Sequence, residues 1–250
     1  MELSPDFTRI ILALVLNAAA AFGTYYARMI SRSGAIGGFV VGLLIYYFTD
    51  WRGYAVLVTF FVLGTLVTKV KYSDKAKLGI AQEEQGRRGA KHAVANCLAA
   101  LILGFAAWIL LKINNADAAI LLMAGFTGAF ATALSDTVSS EIGQAFGKTT
   151  ILLTSFKRVP PGTEGAVSLE GTLAGVLGSA AIALVALLAG VIVGWAGFIA
   201  IVIAAFIGNT LESVIGSTIE KLPIVTNEVT NFLNTVIGAA AAIGLYALMS

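Results

Sequence analysis

The sequence predicts an all-α, polytopic integral membrane protein with about eight transmembrane helices. Two features of its composition favour this fold class: 58% of the 250 residues are hydrophobic and only 12% are charged. A soluble domain of this length needs far fewer apolar residues to fill one core, so most of the chain is expected to lie in lipid. The third observation is that the apolar residues form runs of bilayer length, separated by polar segments.

Eight such runs follow one another along the chain. They cover residues 7–30, 34–49, 53–70, 92–111, 117–136, 166–190, 191–213 and 230–249. The first run follows an acidic start with Glu2 and Asp6, which is unlike a signal peptide, so it is expected to be a retained span. Several runs are rich in Gly and Ala, which suits close helix packing in lipid.

The basic residues predict the orientation of these spans. Arg9, Arg52 and Lys112 fall on one side of the membrane, and the other 13 of the 16 Lys and Arg residues fall on the opposite side. By the positive-inside rule, the basic side faces the cytoplasm or the stroma. It also carries the two long polar connections, 71–91 and 137–165, where functional residues are expected. Topology thus explains the basic residues, and the net charge of +2 does not indicate a nucleic-acid partner.

A short polar pattern occurs twice. Asp136-Thr137-x-x-Ser140-x-Ile142-Gly143 recurs as Asn209-Thr210-x-x-Ser213-x-Ile215-Gly216, each time at the inner end of a span. Two spans separate the copies, so both would run in the same direction and place their polar ends side by side. Residues 1–250 are therefore expected to form a single transmembrane domain, with 117–190 and 191–250 as candidate repeat units.

Four carboxylates lie at or near the ends of apolar spans, where such groups usually mark a cation, a substrate or a proton path. They are Asp136, Glu141, Glu170 and Glu212. With hydroxyls and amides nearby and no histidine or cysteine cluster, they suit Mg²⁺ rather than zinc. On a regular helix Asp136 and Glu141 would point about 140° apart, so we expect the helix to break near Ser139 and Ser140 if both reach one ion. The alternative is that each carboxylate pairs with a nearby Lys or Arg.

Further polar and basic residues lie at the same predicted face. Asn227, Asn231 and Asn234 form one stripe of the last span, and with Asn209 and Glu212 they would build a polar pocket. Arg88, His92 and Asn96 step by four at the start of the fourth span, where a bound anion would relieve the conflict between basic residues and the helix dipole. His92 taken alone is more often structural than catalytic. The loop from Lys157 to Gly165 contains Gly and Pro and could wrap backbone N–H groups around phosphates.

Five ordered blocks in this chain resemble the membrane phytyl-phosphate kinases of plants and cyanobacteria and their relatives, over nearly the whole sequence. The blocks are Gly86-x-Arg88-x-x-Lys91-x-x-x-x-Asn96, Ser135-Asp136-Thr137-x-x-Ser140-Glu141-x-Gly143, Gly162-Thr163-x-Gly165-x-x-Ser168-x-x-Gly171, Gly208-Asn209-x-x-Glu212-Ser213-x-x-Gly216 and Asn227-Glu228-x-x-Asn231. More remotely, Asp136-Thr137 and Ser168-x-Glu170-Gly171-Thr172 are similar to the core of CTP-dependent polyprenol and phytol kinases.

The resemblance implies an isoprenyl-monophosphate kinase that converts phytyl phosphate, or a similar prenyl phosphate, to the diphosphate. It implies a nucleoside triphosphate donor, expected to be CTP, and Mg²⁺ held by Asp136, Glu141 and Glu212. These three residues and Lys91 are the expected catalytic residues. The residues expected to bind nucleotide and phosphates are Arg88, Asn96, Ser140, Lys157, Gly162, Thr163, Gly165, Asn209, Asn227, Glu228 and Asn231. The protein is expected in a bacterial, cyanobacterial or plastid-type membrane, with membrane lipids around it and its site on the cytoplasmic or stromal side.

Two other functions remain open at this point. In an ion-coupled transporter of an isoprenoid or another anionic substrate, Asp136, Glu141 and Glu212 would bind the coupling ions. The polar residues gather at one face rather than at the membrane midplane, where Asn17 is the clearest polar side chain, and this favours the kinase. The other alternative is a lipid-binding subunit without chemistry. Nucleotide-dependent turnover of a prenyl phosphate separates the three.

The predicted topology can be tested with cysteines introduced at Lys77 and Lys157. Both positions lie in the long basic connections, so a membrane-impermeant thiol reagent should label both from the cytoplasmic or stromal side. Labelling of both from the opposite side of sealed, oriented vesicles would overturn the orientation and the location of the site together.

Overall fold

The computed structural model describes residues 5–82, 86–87, 89–219 and 226–249, most of them helical. The helices are α1 (Pro5–Tyr26), α2 (Arg32–Thr68), α3 (Tyr72–Lys77), α4 (Ala90–Lys112), α5 (Ala116–Phe146), α6 (Leu169–Leu188), α7 (Gly194–Ile219) and α8 (Asn227–Met249). Over the described ranges, seven of them are long and apolar enough to cross a membrane. The prediction of an all-α polytopic membrane protein is confirmed.

Helix α2 supplies two of the eight predicted crossings. Its backbone leaves the helical conformation at Asp50, where φ is 54° and ψ is −161°. A Cβ placed on Gly42 would lie 3.5 Å from the ring of Tyr54, although twelve residues of straight helix would separate these residues by about 18 Å. The chain therefore folds back at Asp50, and the legs correspond to the predicted spans 34–49 and 53–70. The Tyr54 hydroxyl also donates to Asn17 Oδ1 at 3.2 Å, which joins α1 to this hairpin.

Helix α5 is the centre of the bundle. Of its most apolar stretch 72% is buried, against at most 39% for the other membrane-spanning helices in the described ranges. Its neighbours approach it through glycines: a Cβ on Gly175 of α6 would lie 2.0 Å from Ser139 Oγ, and one on Gly238 of α8 would lie 1.9 Å from Thr132 Oγ1. Because no side chain fits in these contacts, the small residues of the apolar runs determine which helix faces pack on α5.

The helix break expected near Ser139 and Ser140 is wrong. Helix α5 continues to Phe146, ten residues beyond the predicted end of its span, and it ends where the backbone of Gly147 becomes extended, with φ −60° and ψ 119°. The helix remains regular because Gly171 of α6 packs against the Ser139 carbonyl, so that this part of α5 is supported by a neighbouring helix rather than by solvent.

Two short strands follow α5, where the sequence predicted only a loop. Strand β1 (Thr150–Leu152) pairs antiparallel with β2 (Ala166–Ser168), with Ile151 opposite Val167. The segment between them, 153–165, lies against the end of α7. There the Thr154 and Ser217 hydroxyl oxygens are 3.3 Å apart, and a Cβ on Gly165 would lie 2.3 Å from the Ser213 carbonyl oxygen. This segment forms a roof over the end of the bundle that carries α3 and the first residues of α4, α6 and α8, here called the polar end.

The glycine contacts predict a difference between two alanine variants of α8. Gly238→Ala should destabilise the fold by about 1–3 kcal/mol, because its methyl group would overlap Thr132. Gly244 lies on the same helix, and a Cβ added there would have nothing within 4 Å, so Gly244→Ala is the matched control. Thermal unfolding in detergent should show a lower midpoint for Gly238→Ala alone. Equal midpoints for the two variants would mean that this contact is loose in the membrane protein.

Candidate functional site

A cavity of about 610 Å³ opens at the polar end of the bundle. Its walls come from α4, α5, α6, α7 and α8, from residues 79–82 and 86–87, and from residues 161–168 of the roof and β2. Its volume lies within the range of small-molecule sites in proteins. Its lining is rich in carboxylate, amide and hydroxyl oxygens, in contrast to the apolar sides of the bundle.

Most of the residues that the sequence predicted for the site line this cavity. They are Asn96, Asp136, Ser140, Glu141, Gly162, Thr163, Gly165, Asn209, Glu212, Asn227, Glu228 and Asn231. They come from separate parts of the chain, and the packing of α4, α7 and α8 around α5 brings them together. Successive spans cross the bundle in opposite directions. The segments that carry these residues therefore all reach the polar end, each near the start or the end of its span.

Three predicted basic residues are not among the described residues that line the cavity. Lys91 and Lys157 are exposed and do not line the cavity, and Arg88 lies outside the described residues. Lys91 and His92 nevertheless lie close enough to Glu228 to act on its charge, so Lys91 is at the rim. The basic side chain on the described wall is Arg87, which the sequence reasoning passed over. Arg87 directly precedes Arg88 in the basic block, and its position on the cavity wall follows from the fold and not from the sequence pattern.

Ser139 and Asn209 join the two copies of the predicted repeat. The Asn209 side-chain amide donates to Ser139 Oγ at 2.8 Å and to Ser135 Oγ at 3.4 Å. Asn209 is the counterpart of Asp136 in the repeat, so the amide of one copy is anchored on the helix that carries the carboxylate of the other. This bond sets the spacing between α5 and α7 beneath the cavity.

Ser168 and Gly171 shape the wall on the α6 side. Ser168 is the N-cap of α6, and its Oγ accepts a hydrogen bond from the Gly171 backbone N–H at 3.1 Å. A Cβ on Gly171 would lie 2.5 Å from the Ser139 carbonyl oxygen, so the start of α6 sits directly on α5. These residues carry part of the family resemblance, but the sequence did not place them at the site. Other lining residues that it missed are Thr68, Gln82, Arg87, Thr137, Gln144 and Thr172.

The charge of the described wall is predominantly acidic. Five carboxylates line it, namely Asp136, Glu141, Glu164, Glu212 and Glu228, and the guanidinium of Arg87 opposes them. Among the residues that the structure describes, no three His, Cys, Asp or Glu side chains form a group that could hold a metal ion. The three predicted Mg²⁺ ligands thus share the cavity without forming a three-carboxylate cluster. Mg²⁺ in nucleotide sites commonly uses one or two carboxylates together with water and phosphate oxygens, and such a set is compatible with this wall.

Glu141 has a cationic partner that the sequence did not identify. Lys75 of α3 donates from Nζ to Glu141 Oε2, and both side chains are buried, at 1% and 5% exposure. The alternative that each carboxylate pairs with a nearby Lys or Arg is therefore confirmed for Glu141. The interpretation of Lys75 as topogenic charge alone is wrong, because a topogenic lysine is solvated whereas this one is enclosed. Glu170 accepts a hydrogen bond from the Lys148 backbone N–H at 3.4 Å and does not line the cavity.

Comparison with known proteins gives the family. The family model described as "Integral membrane protein DUF92" matches residues 15–239. An uncharacterised membrane protein of Synechocystis is 39% identical, over 97% of this chain and 92% of its own length. Protein VTE6, chloroplastic, of Arabidopsis thaliana is 39% identical over 86% of this chain, which spans 64% of that protein. An uncharacterised membrane protein of Methanocaldococcus jannaschii is 31% identical, over 95% of this chain and 94% of its own length.

No solved structure matches the chain. The resemblance to plant and cyanobacterial membrane proteins, inferred from the five sequence blocks, is confirmed by the relatives in a plant and a cyanobacterium. This chain belongs to the DUF92 family of integral membrane proteins.

Proposed function

We propose that this protein is an isoprenyl-monophosphate kinase that uses a nucleoside triphosphate, expected to be CTP, to convert phytyl phosphate or a similar prenyl phosphate to the diphosphate. The observation that carries the proposal is the polar cavity at one end of an apolar bundle. In the reaction, an oxygen of the acceptor phosphate bonds to the γ-phosphorus. The bond from that phosphorus to the β–γ bridging oxygen breaks, and the nucleoside diphosphate leaves with the electron pair.

The acceptor needs little activation by the protein. A phosphate monoester is already largely ionised near neutral pH, so its oxygen can attack without a strong general base. Phosphoryl transfer depends chiefly on alignment and on neutralisation of charge. The described wall suits these tasks, because amides and hydroxyls such as Asn231, Thr163 and Ser140 can hold two phosphate groups in fixed orientations.

The acidic wall itself supports a cation as part of the substrate complex. On the described part of the wall, five carboxylates outnumber two cations, Arg87 and the Lys75 that pairs with Glu141, and this excess of negative charge would repel a bare triphosphate. One or two of the carboxylates Asp136, Glu141 and Glu212 would hold Mg²⁺ together with phosphate and water oxygens, and the ion when bound would neutralise phosphate charge. Asp136 is the principal ligand in this proposal because it belongs to the family block and lies beside Thr137 and Ser140, which also line the cavity.

The surroundings of the cavity suit an acceptor with a lipid tail. Leu169, Leu173 and Leu177 of α6 are 70%, 57% and 72% exposed, as expected for side chains that face lipid. Gly171 and Thr172 of the same helix line the cavity. Only the thickness of one helix thus separates the polar site from the membrane, so a phosphate head can enter the cavity while an isoprenoid chain stays in lipid.

The structure gives less support to a transporter. Asn17, the deep polar side chain that could have marked a path through the midplane, donates to the Ala13 carbonyl at 2.8 Å and accepts from Tyr54. Its partners make it a link between α1 and α2.

The purified protein should form prenyl diphosphate from prenyl phosphate, Mg²⁺ and labelled nucleoside triphosphate in detergent, where no gradient exists. Gradient-dependent uptake into vesicles without turnover would favour the transporter.

Substitution of Asp136 tests the proposed metal ligand. Asp136→Asn should lower turnover by at least about 100-fold, because a neutral amide cannot balance the charge that develops during phosphoryl transfer. Expression and thermal midpoint should stay near those of the wild type. Asp117→Asn is the control, since Asp117 is exposed in the first turn of the same helix, at the opposite end. Retention of most activity in Asp136→Asn would move the principal role to Glu212 or Glu141.

Substitutions of basic residues on the cavity wall, at its rim and away from the cavity should have different effects on the kinetics. Arg87→Ala should lower kcat/KM by about 10- to 100-fold, since an enclosed charge-assisted contact to phosphate would be lost. Lys91→Ala, at the rim, should chiefly raise KM, because a rim contact stabilises the ground state and the transition state alike. Lys69→Ala should change neither value, because Lys69 is exposed and does not line the cavity. Identical kinetics for Lys91→Ala and Lys69→Ala would exclude a phosphate role for Lys91.

A further inference from the structure

Helix α3 buries one of its two lysines and exposes the other. Lys75 is 1% exposed, whereas the Lys77 side chain is 78% exposed and lies 3.8 Å from Asp74 on the protein surface. Lys75 Nζ donates to Glu141 Oε2 and to the Thr68 carbonyl oxygen, the latter at 3.1 Å. A buried ammonium group is costly to desolvate, and these two acceptors compensate the cost.

The ion pair engages only one carboxylate oxygen of Glu141, Oε2. Oε1 is buried and has no hydrogen-bond partner within the described part of the chain. Glu141 lines the cavity, and Lys75 does not, so the lysine reaches the carboxylate from behind the wall. A buried acceptor without a partner is uncommon in proteins, and a ligand, ion or water bound at the wall would supply one.

Lys75 also connects Glu141 to two other parts of the cavity. Its backbone carbonyl accepts a hydrogen bond from the Ile80 N–H at 3.1 Å, and Ile80 belongs to the loop segment that lines the wall. Ile80 packs under the roof, where a Cβ on Gly162 would lie 2.6 Å from Ile80 Cγ2. One residue therefore holds the carboxylate through its side chain and the adjacent loop through its backbone.

We propose that Lys75 is a positioning residue that fixes Glu141 so that Oε1 alone serves the Mg²⁺–nucleotide complex. The inference rests on the proposed function for the identity of the ligand. It also refines the predicted role of Glu141: with Oε2 held by Lys75, the carboxylate offers a single oxygen rather than a bidentate grip. The Lys75 backbone also holds Ile80, which packs under the roof, so the same residue positions two parts of the wall.

The experiment compares Lys75→Met, Glu141→Gln, the double variant Lys75→Met/Glu141→Gln, and Lys77→Met as the matched control on α3. Lys75→Met should lower the thermal midpoint by several degrees, because it leaves a buried carboxylate uncompensated. The double variant removes both charges and should recover most of that midpoint. It should nevertheless turn over at least tenfold more slowly than the wild type, because the charge on Oε1 is absent. Lys77→Met should match the wild type in both measurements.

If the ion pair were purely structural, the double variant would recover turnover together with stability. This result would overturn the proposal. A binding readout keeps the test independent of catalysis: Mg²⁺ with CTP should raise the thermal midpoint of the wild type and of Lys77→Met, but raise that of Lys75→Met much less and not raise that of Glu141→Gln. If the wild type shows this pattern without turnover, the kinase proposal fails and the role of Lys75 stands. If Lys75→Met keeps the full shift, the role of Lys75 is excluded.

Discussion

Small residues of α6 and α8 approach the central helix α5 closely, and the packing of the bundle relies on these contacts. Lipid gives no hydrophobic driving force between helices, so association in the membrane relies on tight van der Waals contact and on hydrogen bonds. Gly175 and Gly238 lie where any larger side chain would overlap Ser139 or Thr132. These contacts bring α6 and α8 against α5, and the walls of the cavity are therefore a consequence of how the apolar parts of the helices pack.

The same solvent explains why the polar chemistry gathers at one end. Within the apolar part of the bundle, hydroxyls such as Thr49 and Thr132 donate to the carbonyl four residues earlier, and Asn17 is paired with Tyr54. These polar groups are satisfied locally, as a membrane interior requires. Carboxylates cannot be satisfied in this way, and those of the cavity occur at the polar end of the bundle, where loops, other side chains and a ligand can reach them.

Two loop segments complete the site by docking on the helices. The roof between β1 and β2 contacts α7 through Gly165 and Thr154, and the segment after α3 contacts the roof through Ile80 and Gly162. Lys75 attaches α3 to α5 through a buried ion pair with Glu141. A cavity enclosed by docked loops can exclude water from a phosphoryl group, which favours transfer to a second phosphate over hydrolysis.

The fold class, the eight crossings and twelve of the residues that line the cavity could be predicted from the sequence, because the length of apolar runs and the position of polar residues near span ends follow from the cost of burying polar groups in lipid. Asp136, Asn209 and Asn231 could be placed at one face for that reason. The fold was needed to establish the pairing of Lys75 with Glu141, the position of Arg87 on the cavity wall and the unbroken course of α5 through Ser139. Each of these depends on contacts between segments far apart in the chain: Lys75 and Glu141 belong to different helices, and Gly171 supports Ser139 from the start of α6. Charge and periodicity along one segment carry no information about which distant segment will cover it.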